Sequence, residues 1–247
     1  MTLQFVFFVL CGALIGGFIN GLAGTATALF ALGFFLAVLD PIKAVAVIAL
    51  ISVLSGVQGL WVVRKELFKR PRRLLTFLIP GLLGLPIGLA ILDVIDASVL
   101  RLGVAFLLIV YGGYFAFRST LPAFERKTPV IDGTVGFAGG VLGGAASLSG
   151  ALPTLWLSLR PWSKTETRAT LQPYNFVLLS STVVMVFFKG AYDSQTLSAL
   201  AIAVPASFVA SWFGIFVFGR LSSGGFRRLL IVMTLLVGVG VLVTEVV

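Results

Sequence analysis

The 247-residue sequence has no histidine and a single cysteine, Cys11. Without imidazole or a second thiol, it cannot supply a Ser-His catalytic pair, a His-ligated haem or a zinc site of thiolate and imidazole, and no internal disulfide can form. Acids are scarce as well, with nine Asp and Glu against eighteen Lys and Arg. All nine fall at the ends of apolar runs or between them, so the paired acids that carboxylate chemistry inside a membrane would need are missing. No metal, cofactor or catalytic residue is expected. Charged residues make up 11% of the chain and hydrophobic ones 59%, which leaves no stretch polar enough for a separate water-soluble domain. No Lys or Arg precedes the first apolar run, which argues against a cleaved signal peptide, and Phe5 to Asn20 is expected to be the first helix of the mature protein.

What the chain does have is a series of long apolar runs with charges clustered in the short gaps. That spacing predicts an all-α polytopic membrane protein, since a β-barrel would alternate with period two. The net charge of +9 could attract nucleic acid, but the basic residues sit beside apolar spans and not on a soluble face. The expected partner is therefore the lipid bilayer, with basic loops held on the cytoplasmic side, and no nucleic acid.

Two stretches break where a membrane helix should continue. Phe5 to Asn20 reads as a helix, Gly21 to Thr27 (GLAGTAT) as a break and Ala28 to Leu39 as a short return. From Gly136 the pattern recurs: a glycine-rich helix, an interruption at Ser147, Leu148, Ser149, Gly150 and Pro153, and a short apolar piece from Ala151 to Leu159. An offset of 123 residues lays Gly16 and Gly17 on Gly139 and Gly140, Gly21 on Gly144 and Thr27 on Gly150. Three spans follow each hairpin, at about 44–63, 74–92 and 102–117, then 167–188, 197–218 and 229–246. The expected organisation is a first repeat over 1–120 with its hairpin at 5–39, a cytoplasmic linker at 121–129, and a second repeat over 130–247 with its hairpin at 133–159.

Loop charges give the orientation. If each hairpin makes an even number of crossings, fourteen basic residues lie on one side, including Arg64 to Arg73, Arg118, Arg126, Arg160, Lys164 and Arg220. Only Lys43, Arg101 and Lys189 lie on the other, together with Asp40, Asp93, Asp96 and Asp193. The first half then starts outside and the second inside, so the expected repeats are inverted and both termini periplasmic. Inverted repeats with broken helices hold their ligand near the midplane.

The candidate binding residues follow from the breaks. One offers Asn20, Gly24, Thr25 and Thr27, the other Ser147, Ser149 and Gly150. A broken helix exposes unpaired N–H groups at the start of its second half, where the dipole is positive, and this suits an anion. Glycines ahead of the breaks, such as Gly12, Gly16, Gly139 and Gly143, are better read as close helix packing. Arg168, Gln172 and Asn175 share one helix face at i, i+4 and i+7. Two readings of Arg168 stand at this point: it faces the bundle interior and matches an oxyanion, or it snorkels to the headgroups from the helix end. Ser52, Ser55, Gly56 and Gly59 line the opposite wall or simply pack. Trp61, Trp162 and Tyr192 read as interface anchors.

GLAGTATALFALG with DPIKAVAVIAL, and GGVLGGAASLSGALPTLWL with RPWSKTETRATLQPY, resemble the sulfite exporter TauE/SafE family over nearly the whole chain. Where that family's pattern carries a proline directly after the turn glycine, this sequence has Gly150-Ala151-Leu152-Pro153. The resemblance implies a secondary transporter of the bacterial inner membrane that moves sulfite or a related organosulfur anion, such as a sulfonate or thiosulfate, usually outward. An anion channel and a membrane assembly subunit are the alternatives, and a homodimer is left open.

Overall fold

The computed structural model describes residues 2–25, 27–67, 69–116, 124–126, 128–222 and 224–225, with single positions beyond them. All regular elements among the described residues are helical: α1 (Leu3–Ala23), α2 (Thr27–Leu36), α3 (Pro41–Leu67), α4 (Pro71–Leu92), α5 (Ala97–Ala116), α6 (Pro129–Ala146), α7 (Ala151–Ser158), α8 (Lys164–Phe188) and α9 (Ser194–Arg220). Most of the span expected over 229–246, and positions 121–123 and 127 of the linker expected at 121–129, lie outside the described residues. Five helices, α1, α3, α4, α8 and α9, are long and apolar enough to cross a membrane. The outward surfaces of the bundle carry large apolar side chains, among them Ile79, Leu83, Phe106, Val209 and Trp212. This is the surface of a polytopic membrane protein.

α2 and α7 do not span. With 10 and 8 residues, they reach about 15 and 12 Å at 1.5 Å per residue, against about 30 Å of hydrocarbon. Each turns back along the helix before it. Gly12 of α1 lies under Phe34 and Phe35, and Gly16 under Ala31 and Thr27. Gly139 and Gly143 of α6 lie under Ser149, with Pro153 also against Gly139. The second hairpin is fastened at its open end, where Arg160 pairs with Asp132 at 3.0 Å and donates to the Phe124 carbonyl at 3.1 Å.

The first break is shorter than the expected one. α1 runs through Gly21 to Ala23 and stops at Gly24, whose φ of 80° is a left-handed cap. Gly21 does not break the helix because it is packed: a Cβ there would meet the Ser211 carbonyl at 2.0 Å. Such contacts set how α1 and α9 cross, and α4 and α6 use the same device. Gly17 meets Ser207, Gly21 meets Ser211, and Gly214 meets Phe18 and Leu22. In the other pair Gly140 meets Gly81, Gly144 meets Leu85, and Gly88 meets Val141 and Ala145. Each pair of helices runs parallel, with the smallest residues where the backbones touch.

α3 and α8 run antiparallel. Lys43 and Ala46 at the start of α3 meet Asp193 and Tyr192 just beyond α8, while the region after α3 meets Glu166 at the start of α8. Charges therefore gather at the two ends of the bundle. One end holds Asp40, Lys43, Asp93, Lys189 and Asp193. The other holds Glu66, Lys69, Arg70, Arg73 and Glu166. Trp61 is exposed with Arg64 over its ring, and Arg73 covers Trp162.

Candidate functional site

The tips of the two hairpins meet inside the bundle. Each leading helix ends in the left-handed region, α1 at Gly24 and α6 at Ser147, which has φ 56° without being glycine. The α6 end closes with Ser147 N–H on the Gly143 carbonyl and Leu148 N–H on the Leu142 carbonyl, a double return that satisfies its last carbonyls. Ser147 Oγ then donates to the Val45 carbonyl of α3 at 3.1 Å. α7 starts from Gly150 with no side-chain cap, and Pro153 takes a position in its first turn where a missing N–H costs no helical bond.

The α1 end is closed differently. Arg168, in the second turn of α8, is 1% exposed. Its Nη2 donates to the Gly21 carbonyl at 2.9 Å and its Nη1 to the Leu22 carbonyl at 3.4 Å. The guanidinium thus occupies the negative end of the α1 dipole. Its remaining face lies over the Phe218 ring at 4.5 Å. It does not snorkel, and no acid among the described residues pairs with it. A monovalent cation is therefore held in the interior by carbonyl dipoles and a ring, with its Nε–H lacking a hydrogen-bond partner among the described residues. A buried charge left in that state is costly unless an opposite charge arrives.

Gln172 and Asn175 leave the same helix toward other partners. Gln172 Nε2 donates to the Gly56 carbonyl at 3.4 Å. Its amide is wedged between Gly24 and Gly59, where a Cβ would stand 2.2 and 2.4 Å from Oε1. Asn175 Oδ1 accepts from Ser149 Oγ at 2.5 Å. Asn20 sits on the last turn of α1, inside the helix, and its Nδ2 donates to the Ser52 carbonyl at 3.1 Å. Thr25 reaches across to Thr154, Oγ1 to Oγ1 at 3.1 Å. Asn20 Oδ1, Thr27 Oγ1, Ser52 Oγ, Ser55 Oγ and Gln172 Oε1 are buried with no hydrogen-bond partner among the described residues.

Break one thus adjoins Arg168 and Gln172, and break two adjoins Asn175. The two breaks are joined to each other through Thr25, Thr154 and Gly150, where a Cβ would stand 2.6 Å from Thr25 Cβ. Sequence reasoning missed three contributors. Thr154 is one of two hydroxyls in a short, otherwise apolar helix, Phe218 lies fifty positions from the arginine it covers, and Tyr174 donates to the Gly136 carbonyl at 2.7 Å beneath Gly81. Thr154 and Tyr174 left a trace, inside the quoted GGVLGGAASLSGALPTLWL and at the end of the quoted RPWSKTETRATLQPY; Phe218 left none.

Two interrupted helices whose tips meet, with a buried cation at the end of the first, within a bundle of membrane-length helices, are the architecture of a membrane transporter. The family model for Sulfite exporter TauE/SafE matches residues 8–241. The chain belongs to that family of membrane anion exporters. Among curated proteins, none matches it significantly.

Proposed function

We propose that this chain is a secondary transporter that moves sulfite or a related organosulfur anion, a sulfonate or thiosulfate, out across a bacterial inner membrane by alternating access. The assigned task is translocation, with no covalent chemistry on the solute. The observation that carries the reading is Arg168, a fully buried cation with no acidic partner among the described residues, placed at the end of α1 beside the tip that meets the second hairpin. An oxyanion supplies the missing negative charge and accepts from Arg168 Nε–H, from the hydroxyls of Thr25, Thr27 and Ser149, and from backbone N–H groups near Gly150. Gln172 and Asn175 orient the walls, and Asn20 braces the end of α1 against α3.

The halves, 1–120 and 130–247 joined by a cytoplasmic linker at 121–129, act in this reading as inverted repeats with both termini periplasmic. The antiparallel course of α3 and α8 and the matched glycine contacts of α1–α9 and α6–α4 support it. The chain has no histidine, and no embedded acid among the described residues offers a proton relay, so efflux is electrogenic, drawing on about 2.3 kcal/mol per charge per 100 mV. In proteoliposomes, sulfite efflux is expected to follow an imposed voltage. Flux that follows an imposed pH gradient and ignores voltage overturns the electrogenic reading.

A further inference from the structure

The two ends of the α3–α8 contact carry matching ion pairs of opposite sense. At one end Lys43, in the first turn of α3, stands 2.9 Å from Asp193, the N-cap of α9, and 3.4 Å from Asp40, just ahead of α3. At the other end Glu166, in the first turn of α8, stands 3.2 Å from Arg70, the N-cap of α4. Glu166 also accepts from the N–H and hydroxyl of Ser163, just ahead of α8, at 3.2 Å each. The correspondence is positional: Asp40 and Ser163, Lys43 and Glu166, and Arg70 and Asp193 are each 123 residues apart. The same offset relates Gly17 to Gly140, Gly21 to Gly144, and the two left-handed caps, Gly24 and Ser147. Three helix ends thus meet in the same way at both ends of the bundle, with the charges exchanged.

The ends are also finished differently. At the Lys43 end the junction is laced shut, with Lys43 Nζ on Gln195 Oε1 at 2.8 Å, Tyr192 hydroxyl on the Ala46 carbonyl at 3.3 Å and Gln195 Nε2 on the Val38 carbonyl at 3.4 Å. At the Glu166 end a cavity of about 460 Å³ lies between the three helix ends, lined by Arg70, Arg73, Thr165, Glu166 and Thr170 among others. Between the two ends, α3 and α8 touch where Gln172 lies against Gly56 and Gly59. A tilt about that contact parts one end as it presses the other together.

We propose that Lys43–Asp193 and Glu166–Arg70 are the two gates of the transport cycle, opened in turn by rocking of α3 against α8. Both pairs are formed here, so this is the closed state between the two openings, and the Glu166 end, which already borders a cavity, opens with the smaller rearrangement. Partly exposed ion pairs suit the task because breaking one costs the fold little. The inference rests on the alternating-access reading, and its test separates the two.

In a Cys11→Ser background that carries Thr170→Cys as its single thiol and as a reporter in the cavity, Lys43→His/Asp193→His or Arg70→His/Glu166→His is bridged with Ni2+, for which the otherwise histidine-free chain offers no competing imidazole, before the reporter is probed. Sulfite flux in proteoliposomes and the rate at which T170C reacts with a membrane-impermeant thiol reagent are measured. Either bridge is expected to stop flux. The Arg70–Glu166 bridge is expected to slow the reporter at least tenfold, and the Lys43–Asp193 bridge to leave it reactive. Flux that persists through both bridges, or reporter rates that are the same under both, overturns the gates. If the unbridged protein moves no anion, the transport reading fails, and the reporter rates alone decide whether the ends open in turn. Lys43→Arg, which keeps the charge facing Asp193 and leaves the α9 cap in place, is expected to retain most of the flux that Lys43→Ala loses; equal loss in both counts against the Lys43–Asp193 gate.

Discussion

Thr25 and Thr154, 129 residues apart in sequence and on different hairpins, meet hydroxyl to hydroxyl at 3.1 Å. Together with the close packing of Gly150 on Thr25, this contact joins the first break to the second. Thr154→Val keeps the shape and removes the bond, so the fold should survive. Losing one neutral hydrogen bond costs about 1 kcal/mol, which corresponds to a roughly fivefold weaker affinity for sulfite. Thr25→Val should weaken binding further, because it also removes a hydroxyl offered to the anion, and the double variant should be little worse than Thr25→Val alone. Sulfite titration of the four purified proteins checks this.

The glycines of the parallel crossings predict a sharp contrast. A Cβ on Gly140 would stand 1.9 Å from the Gly81 carbonyl oxygen, and one on Gly17 would stand 2.4 Å from that of Ser207. Backbone must move to admit either, and overpacking of this kind costs about 1–3 kcal/mol. Gly103 of α5 has open space around it. Gly103→Ala should therefore leave thermal stability in detergent unchanged or slightly raised, while Gly140→Ala and Gly17→Ala should each lower it by several degrees.

At the Lys43 end, the Asp193 carboxylate is held down to about 2, first by the Thr196 N–H and then by Lys43. An unfolded aspartate titrates near 3.9. Because the folded value is the lower one, the stabilisation is fully present above about pH 4 and is lost as pH falls toward 2. Titration of Asp193 should add no slope to the thermal midpoint between pH 5 and 8, and Asp193→Asn should lower the midpoint across that range and flatten the acid limb. Burial pushes the Tyr192 hydroxyl up to about 12, so its bond to Ala46 persists throughout that range.

The helices were legible in composition, because apolar runs of membrane length have few other uses. Both interruptions were legible too, though not their edges. Gly21 looks like part of the first break, and only Ser211, 190 residues away, shows that it is a packing position inside the helix. The stripe Arg168, Gln172 and Asn175 was readable from its spacing, but spacing could not say that the three part company, one toward the end of α1, one into the α3 contact and one to Ser149. Nor could it decide whether Arg168 snorkels, since that depends on carbonyls 146 and 147 positions away. The paired ends escaped notice because their charges are reversed: Lys43 matches Glu166 in place and opposes it in sign.

The account turns on Arg168 as the cation that an incoming anion neutralises. Sulfite binding to purified Arg168→Ala and Arg168→Lys, compared with the unaltered protein by calorimetry alongside a check of monodispersity, tests this most directly. Removing a buried charged partner costs 2 kcal/mol or more, so the expected result is a loss of affinity of about thirtyfold or greater in R168A. R168K, which keeps the charge and loses the planar fork, should fall between the two. A folded R168A that binds sulfite as tightly as the unaltered protein would contradict the account.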